Sequence, residues 1–245
     1  MILLVTNIVY TFNITSILRP RIQEGIVMRR ILGSILVSKT LRLYHRVFYF
    51  TRRSVVFKGV YLYLSPPVFI PKFTVSPGLL VDTVRMIGVK GRVLDYGCGS
   101  GAISLAMASI PGVREVICYD ISGKSLRTAL MNAVANRLNN KVKVSRRIRG
   151  LFDAVVSNPP YLPLDPKDPL ERNWCSSSSL EVIRGLFLTA KRLLERGGLL
   201  IIAYSSLTGV KEVERIAFLS GFKKIHSISR TLLLDRVYVS VYKKF

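Results

Sequence analysis

From Lys90 onward, short apolar runs alternate with longer stretches of helical periodicity. Arg92–Tyr96 (RVLDY) reads as a buried strand, and Ala102–Ser109 as a helix after a glycine-rich turn. Glu115–Asp120 is a second strand. Ser125–Arg137 is a second helix, with Leu126, Leu130 and Ala133 on one face. Lys141–Val144 and Phe152–Ser157 are further strands. Leu180–Leu194 places Ile183, Leu186, Phe187, Ala190 and Leu194 at helical spacing; Ser178 and Glu181 form a capping box, and Gly197-Gly198 ends the helix. Leu199–Tyr204 (LLIIAY) then reads as a central strand. Val237–Tyr242 alternates strictly, which predicts a partly exposed antiparallel strand after the run that begins near Phe222. Strands alternating with helices predict an α/β fold, doubly wound around a mostly parallel sheet.

The first part of the chain follows other rules. Residues 1–18 carry no charge, but Thr6, Asn7, Thr11, Asn13, Thr15 and Ser16 interrupt the stretch, and it is short for a membrane span. Its basic residues follow it rather than precede it, unlike a secretory signal. Residues 29–53 are basic with interleaved aliphatic and aromatic residues, and Ile31, Leu32, Ile35, Leu36 and Lys39 approximate helical spacing. The expectation is a basic N-terminal extension over 1–55, with residues 1–27 readable either as structured or as sequence upstream of a start at Met28. The main domain then covers 56–245. His45 is expected to be structural.

Composition narrows the function classes. With 37 Lys and Arg against 14 Asp and Glu in 245 residues, the formal charge is +23. An apolar fraction of 49% excludes a disordered chain. Three widely spaced cysteines, Cys98, Cys118 and Cys175, indicate neither a disulfide scaffold nor a zinc site. Reduced thiols in a cytoplasmic protein are expected, with no membrane role. The charge favours an anionic partner such as RNA or a ribosome.

Three local features carry chemistry. In Val93-Leu-Asp95-Tyr-Gly97-Cys98-Gly99-Ser-Gly101-Ala102, a strand runs through a glycine turn into a helix. Such turns lie at the carboxyl ends of parallel strands, where ligands bind. Gly97, Gly99 and Ala102 fit a loose dinucleotide pattern, but Asp95 would repel a pyrophosphate and suits a cationic amino-acid moiety. Asp120, followed by Ile121, ends the next strand, where a carboxylate can accept the two hydroxyls of a ribose. Finally, Asn158-Pro159-Pro160-Tyr161 follows directly on Phe152–Ser157. The prolines hold the chain extended. This leaves the carbonyls of Asn158 and Pro159, and the Asn158 amide oxygen, as acceptors for a planar NH2 group, with Tyr161 as a stacking face. A nicotinamide oxidoreductase has no use for this third feature.

Together these residues resemble the class I S-adenosylmethionine-dependent methyltransferases, within the NPPY branch that methylates planar nitrogens. Within that branch the chain resembles the HemK-like glutamine N5-methyltransferases of the short archaeal and eukaryotic kind. Supporting segments are Tyr61–Pro71, which resembles a hairpin and the approach to the domain, Leu79-Leu80 at the start of the next helix, and Glu171–Trp174. The resemblance implies a seven-stranded Rossmann-like sheet, S-adenosyl-L-methionine as cofactor, a peptide chain release factor as substrate and a small zinc-binding activator subunit as partner. It implies cofactor contacts from Asp95, Gly97, Cys98, Gly99, Gly101, Asp120, Ile121 and Asn158. Asn158, Pro159, Pro160 and Tyr161 would hold the substrate, with Asn158, Pro159 and Tyr161 catalytic. The chain departs from the family pattern at Lys72–Gly78 (KFTVSPG), Cys175–Ser179 (CSSSS) and Ser145–Arg149 (SRRIR). The last replaces an acid near the adenine, so adenine recognition is expected from backbone and apolar contacts near Phe152. An RNA base N-methyltransferase is the alternative, and a non-catalytic RNA- or ribosome-binding protein on a relict fold is a third.

Overall fold

The computed structural model describes residues 5–72, 74–176 and 179–245, with side chains from residue 27 onward. Ser178, expected in a capping box, lies outside the described residues. The chain opens on α1 (Val5–Thr51), a helix of 47 residues, followed by the hairpin β1 (Ser54–Phe57) and β2 (Val60–Tyr63). Lys58 and Gly59 turn the hairpin with φ +48° and +85°, as two-residue hairpin loops require. Helix α2 (Val75–Ile87) starts four residues before the expected Leu79, and Gly88 in the left-handed region stops it.

α1 is a helix, as the spacing predicts, and its outward face is apolar. Ile31, Leu32, Ile35 and Leu36, the stripe that marks the helix in the sequence, are exposed. The docked face carries Ser34, Ser38 and His45, all buried. Hydrogen bonds reinforce the packing of Val37, Leu41, Tyr44, Phe48 and Tyr49 against the core. Ser38 Oγ accepts from Trp174 Nε1 at 3.0 Å. Arg42 pairs with Asp168 and, at 2.9 Å, with Glu171. The Tyr44 and Tyr49 hydroxyls donate to the carbonyls of Lys72 and Val68.

His45 is the centre of this joint. Ile70 N–H donates to its Nε2 at 3.0 Å, so Nε2 is bare and Nδ1 carries the proton, facing Leu41 O at 2.8 Å. Its ring lies 5.0 Å from Trp174 and 5.1 Å from Phe69. Burial pushes its pKa down to about 4. The histidine is structural, as expected.

The rest is one seven-stranded sheet. Its strands are β3 (Gly91–Tyr96), β4 (Val113–Tyr119), β5 (Val142–Ser145), β6 (Phe152–Ser157), β7 (Leu194–Ser205), β8 (Phe222–Thr231) and β9 (Arg236–Lys244). The order is β5-β4-β3-β6-β7-β9-β8. β3 to β7 run parallel, and β9 is antiparallel to both neighbours. Alternate residues of β7 serve two cores. Ile201 and Ala203 pack with α2, α3 (Ala102–Ala108) and α4 (Gly123–Ala135). Leu200, Ile202 and Tyr204 pack with α5 (Ser179–Leu193) and α6 (Val210–Leu219). This is the predicted doubly wound architecture.

Two boundaries differ from expectation. α5 ends at Leu193, and β7 begins at once at Leu194, so Gly197-Gly198 lies inside the strand. The pairing jumps from Phe152↔Leu194 to Ala154↔Leu199, and the extra residues loop out where Gly197 has φ +75°. Helix α6 had its own signal, Val213, Ile216 and Ala217 at helical spacing, all buried.

The connection from β5 to β6 has six residues, 146–151, and no helix. Parallel crossovers commonly need a dozen or more. Six residues span at most about 22 Å, so this segment must cross the sheet extended. Arg92 anchors it, donating to Arg149 O at 2.8 Å and Leu151 O at 3.3 Å, pairing with Glu115 at 2.7 Å, and lying 4.6 Å over the Phe152 ring.

Candidate active site

The strand order reverses between β3 and β6: the chain leaves β3 for β4 and β5, then returns to the other side. A crevice opens at such a reversal, beyond the carboxyl ends of the strands. The glycine loop follows β3 and Asn158–Tyr161 follows β6, so the topology brings the two strongest sequence features to one crevice. Ser157 Oγ donates to Tyr96 O at 2.7 Å and ties the two strand ends.

The loop between β3 and α3 is held from the next strand. Gly97 N–H and Cys98 N–H both donate to Tyr119 O, at 2.8 and 3.0 Å. Gly99 N–H donates to Asp120 Oδ2 at 3.0 Å. Gly97, Gly99 and Gly101 have φ of +82°, +55° and +78°, conformations that favour glycine. A Cβ on Gly97 or Gly99 would meet open space, whereas one on Gly101 would lie 3.0 Å from the Ala129 Cβ. The first two glycines thus leave room for a ligand, and the third lets α3 approach α4. Both polar backbone groups of Cys98 are taken, its N–H by Tyr119 O and its carbonyl by Gly101 N–H. Its thiol is buried, and that burial, with Cys118 alongside, raises its pKa.

Asp95 is fully buried in β3. Its Oδ2 accepts from Ser104 Oγ at 2.6 Å, while Oδ1 has no partner. Burial pushes its carboxyl up to about 7, against the Ser104 hydrogen bond, with the Asp120 charge adding to the rise. A buried carboxylate oxygen without a donor is costly, and a cationic ligand group would relieve it. Asp120 does not cap α4: Ser122 does, accepting from Ser125 N–H at 3.2 Å. The Asp120 oxygens take one backbone N–H each, from Gly99 and Ser122. A carboxylate has about four lone-pair sites, so each oxygen retains capacity for a hydroxyl. Ile121 is 88% exposed beside it, a flat apolar cover for a ring.

On the β6 side, Asn158 Oδ1 is buried and without a partner. Pro159 is buried, and Pro160 is half-buried. Tyr161 is more embedded than a simple stacking face: its hydroxyl donates to Ser76 Oγ at 3.2 Å, and its carbonyl accepts from Thr208 Oγ1 at 2.7 Å. Burial pushes its phenol up to about 12. Leu162 exchanges backbone hydrogen bonds of 2.9 Å with Trp174 O and Ser176 N–H. Through Trp174 and Ser38, α1 therefore braces the Asn158–Tyr161 segment.

The structure corrects one placement. Phe152 opens β6, a full strand away from Asn158, and is wholly buried beneath the Arg92 guanidinium. It lies away from the crevice and cannot help receive an adenine. Sequence reasoning missed Ser104, Ser76, Thr208 and Asn132. Asn132 is fully buried; it donates to Ser100 O at 2.9 Å and accepts from Tyr63 N–H at 2.8 Å, joining the glycine loop to the hairpin. Among the described residues, no group of three or more His, Cys, Asp or Glu side chains is placed to hold a metal.

Residues 71–231 match the family described as Methyltransferase small domain. The release factor glutamine methyltransferase of Streptomyces coelicolor is 30% identical over 170 residues, 62% of this chain and 60% of that one. The chain therefore spans about three fifths of that relative. The putative protein N5-glutamine methyltransferase of Methanocaldococcus jannaschii is 29% identical over 175 residues, 68% of this chain and 86% of that one. The ribosomal RNA small subunit methyltransferase C of Shewanella loihica is 40% identical, but over 76 residues, 30% of this chain and 22% of that one. Among solved structures, a methyltransferase from Pyrococcus furiosus superimposes with a TM-score of 0.59 at 17% identity, covering 84% of this chain and 97% of that one.

Proposed function

Because the chain belongs to the methyltransferase small domain family, we propose that it transfers a methyl group from S-adenosyl-L-methionine to a planar nitrogen, the side-chain amide of a glutamine in a peptide chain release factor. The observation that carries this reading is the buried, unpartnered Asn158 Oδ1 at the β3/β6 crevice. It is an acceptor awaiting an N–H, opposite a glycine loop with open space over Gly97 and Gly99. The relatives named for glutamine methylation support the amide, since they match 62% and 68% of this chain.

The residues present fit the cofactor. Asp95 Oδ1 would face its ammonium group, Asp120 its ribose and Ile121 its ring, while Gly97 and Gly99 allow close approach. When bound, S-adenosyl-L-methionine supplies an electrophilic methyl. The amide nitrogen is a weak nucleophile because its lone pair is delocalised. Asn158 Oδ1 and the Pro159 carbonyl accept its two hydrogens, hold it in line and stabilise the positive charge that develops there. Tyr161, its hydroxyl held by Ser76 and its carbonyl by Thr208, keeps the segment in register. No strong base is required, because the cation formed when the amide nitrogen takes the methyl is a strong acid and loses its extra proton to water.

A small zinc-binding activator is the partner this reading carries. Among the described residues β5 pairs only with β4, so its outer edge can receive a strand. RNA base methylation is the second reading, favoured by the 40% identity to a ribosomal RNA methyltransferase over 76 residues.

The test is transfer of radiolabelled methyl into a cell extract, with and without the activator, followed by protease or ribonuclease. Label in one protease-sensitive, ribonuclease-resistant band of release-factor size is expected. Label lost to ribonuclease would move the substrate to RNA. Asn158→Ala is expected to lower turnover at least about 100-fold with cofactor affinity retained, as titration calorimetry would read. Near-normal turnover would overturn the mechanism.

A further inference from the structure

The helix-free crossover leaves an open groove on the sheet face that carries Ile117. Its volume is about 600 Å³, and its cationic lining is Arg92, Lys143, Arg146, Arg147 and Arg149. No acid lines it. The nearby Glu115 is already paired with Arg92. Arg146, Arg147 and Arg149 are exposed and make no side-chain hydrogen bond or ion pair with the described residues. Three unpaired guanidinium groups within four residues repel one another, and only an anion between them turns that repulsion into attraction. Guanidinium groups match phosphate in a two-pronged geometry. The groove also reaches the rim of the cofactor crevice: Arg146 Nη2 comes within 2.3 Å of where a Cβ on Gly123 would stand, at the start of α4 just after Asp120.

We propose that this groove binds the phosphate backbone of an RNA strand. The occupant is a polyanion rather than an acidic protein, because the charge extends over the whole chain, +23 in 245 residues. A field of that reach matches a continuous phosphate backbone better than a local group of carboxylates. The site does not depend on which nitrogen is methylated. An RNA substrate would use the same surface.

The test is fluorescence anisotropy of a fluorescein-labelled single-stranded RNA oligonucleotide across a range of potassium chloride concentrations. It compares the wild-type protein, a groove variant (Arg146→Ala, Arg147→Ala, Arg149→Ala) and a control of equal charge change on α5 and α6 (Arg184→Ala, Lys211→Ala, Arg215→Ala). Thermal melts establish that all three fold, which exposed Arg-to-Ala changes should allow. The groove variant is expected to bind at least about tenfold more weakly near 0.1 M salt. Its slope of log K against log salt should fall by about 2, three contacts at about 0.7 each. The control should bind within about twofold of wild type. Equal losses in the two variants would overturn the proposal, because they would reduce the effect to net charge. So would displacement of the RNA by poly-glutamate of equal charge at equal concentration, which would make the groove a docking site for an acidic protein.

Discussion

Asp95 and His45 are buried ionisable side chains that tilt the dependence of stability on pH in opposite senses. The Asp95 carboxyl sits at about 7 when folded and about 4 when unfolded. Between those values the folded chain keeps a proton that the unfolded chain releases, so stability falls as pH rises from about 4 to about 7 and is level above. The His45 ring sits at about 4 when folded and about 6.5 when unfolded. There the unfolded chain takes up a proton that the folded one refuses, so stability falls as pH drops from about 6.5 to about 4. Asp95→Asn should therefore melt above wild type at about pH 8 and close to it at about pH 4, as calorimetric scans would read. Cofactor affinity should tighten as pH rises through about 7, because only the ionised carboxylate attracts an ammonium. Asp95→Asn should weaken that affinity about 10- to 100-fold and remove the pH dependence. A pH-independent dissociation constant in wild type would contradict the role given to Asp95.

At the scale of elements, α1 shows what periodicity cannot tell. Its apolar stripe marks a helix, yet the face it docks is the one with Ser38, Arg42, Tyr44, His45 and Tyr49. The joint combines the packing of Val37, Leu41, Tyr44, Phe48 and Tyr49 with hydrogen bonds to groups far along the chain: Val68 O, Ile70 N–H and Trp174. His45→Leu keeps the volume but removes the acceptor for Ile70 N–H, and should cost about 1–3 kcal/mol in chemical denaturation. Trp174 braces Leu162, so this variant should also lower turnover more than cofactor affinity. Equal effects on both would mean that α1 does not support the Asn158 segment. Gly101→Val tests the contact between α3 and α4. The new side chain meets Ala129 at 3.0 Å and takes a φ of +78°. A loss of about 2–4 kcal/mol is expected, whereas Gly97→Ala, with open space at its Cβ, should impair cofactor binding more than folding.

For the whole molecule, 14 acidic residues cannot neutralise 37 basic ones. The surplus opposes compactness by self-repulsion, which salt screens over about 10 Å at 0.1 M. The melting temperature should therefore rise with potassium chloride before any partner is added. A flat response would show that the cations lie too far apart to repel. With RNA bound, the same salt should weaken the complex, so protein stability and RNA affinity are expected to move in opposite directions.

The pattern of residues alone determined the strands from Arg92 to Tyr242, the doubly wound class, and the two motifs at Asp95–Gly101 and Asn158–Tyr161. These are local properties: an apolar run, a glycine turn and two prolines each act through their own stretch of backbone. Strand ends point ligand-binding loops to one edge of any parallel sheet, so the place of the candidate site also followed from order along the chain. Only the tertiary structure decided which face of α1 is buried, that Phe152 lies under Arg92 rather than at the crevice, and that Ser104, Ser76, Thr208 and Asn132 hold the site. It also showed that the β5–β6 crossing has no helix and leaves a groove of arginines open. Each of these depends on groups far apart along the chain meeting in space, and the period of a sequence records which way a residue faces but not what it meets.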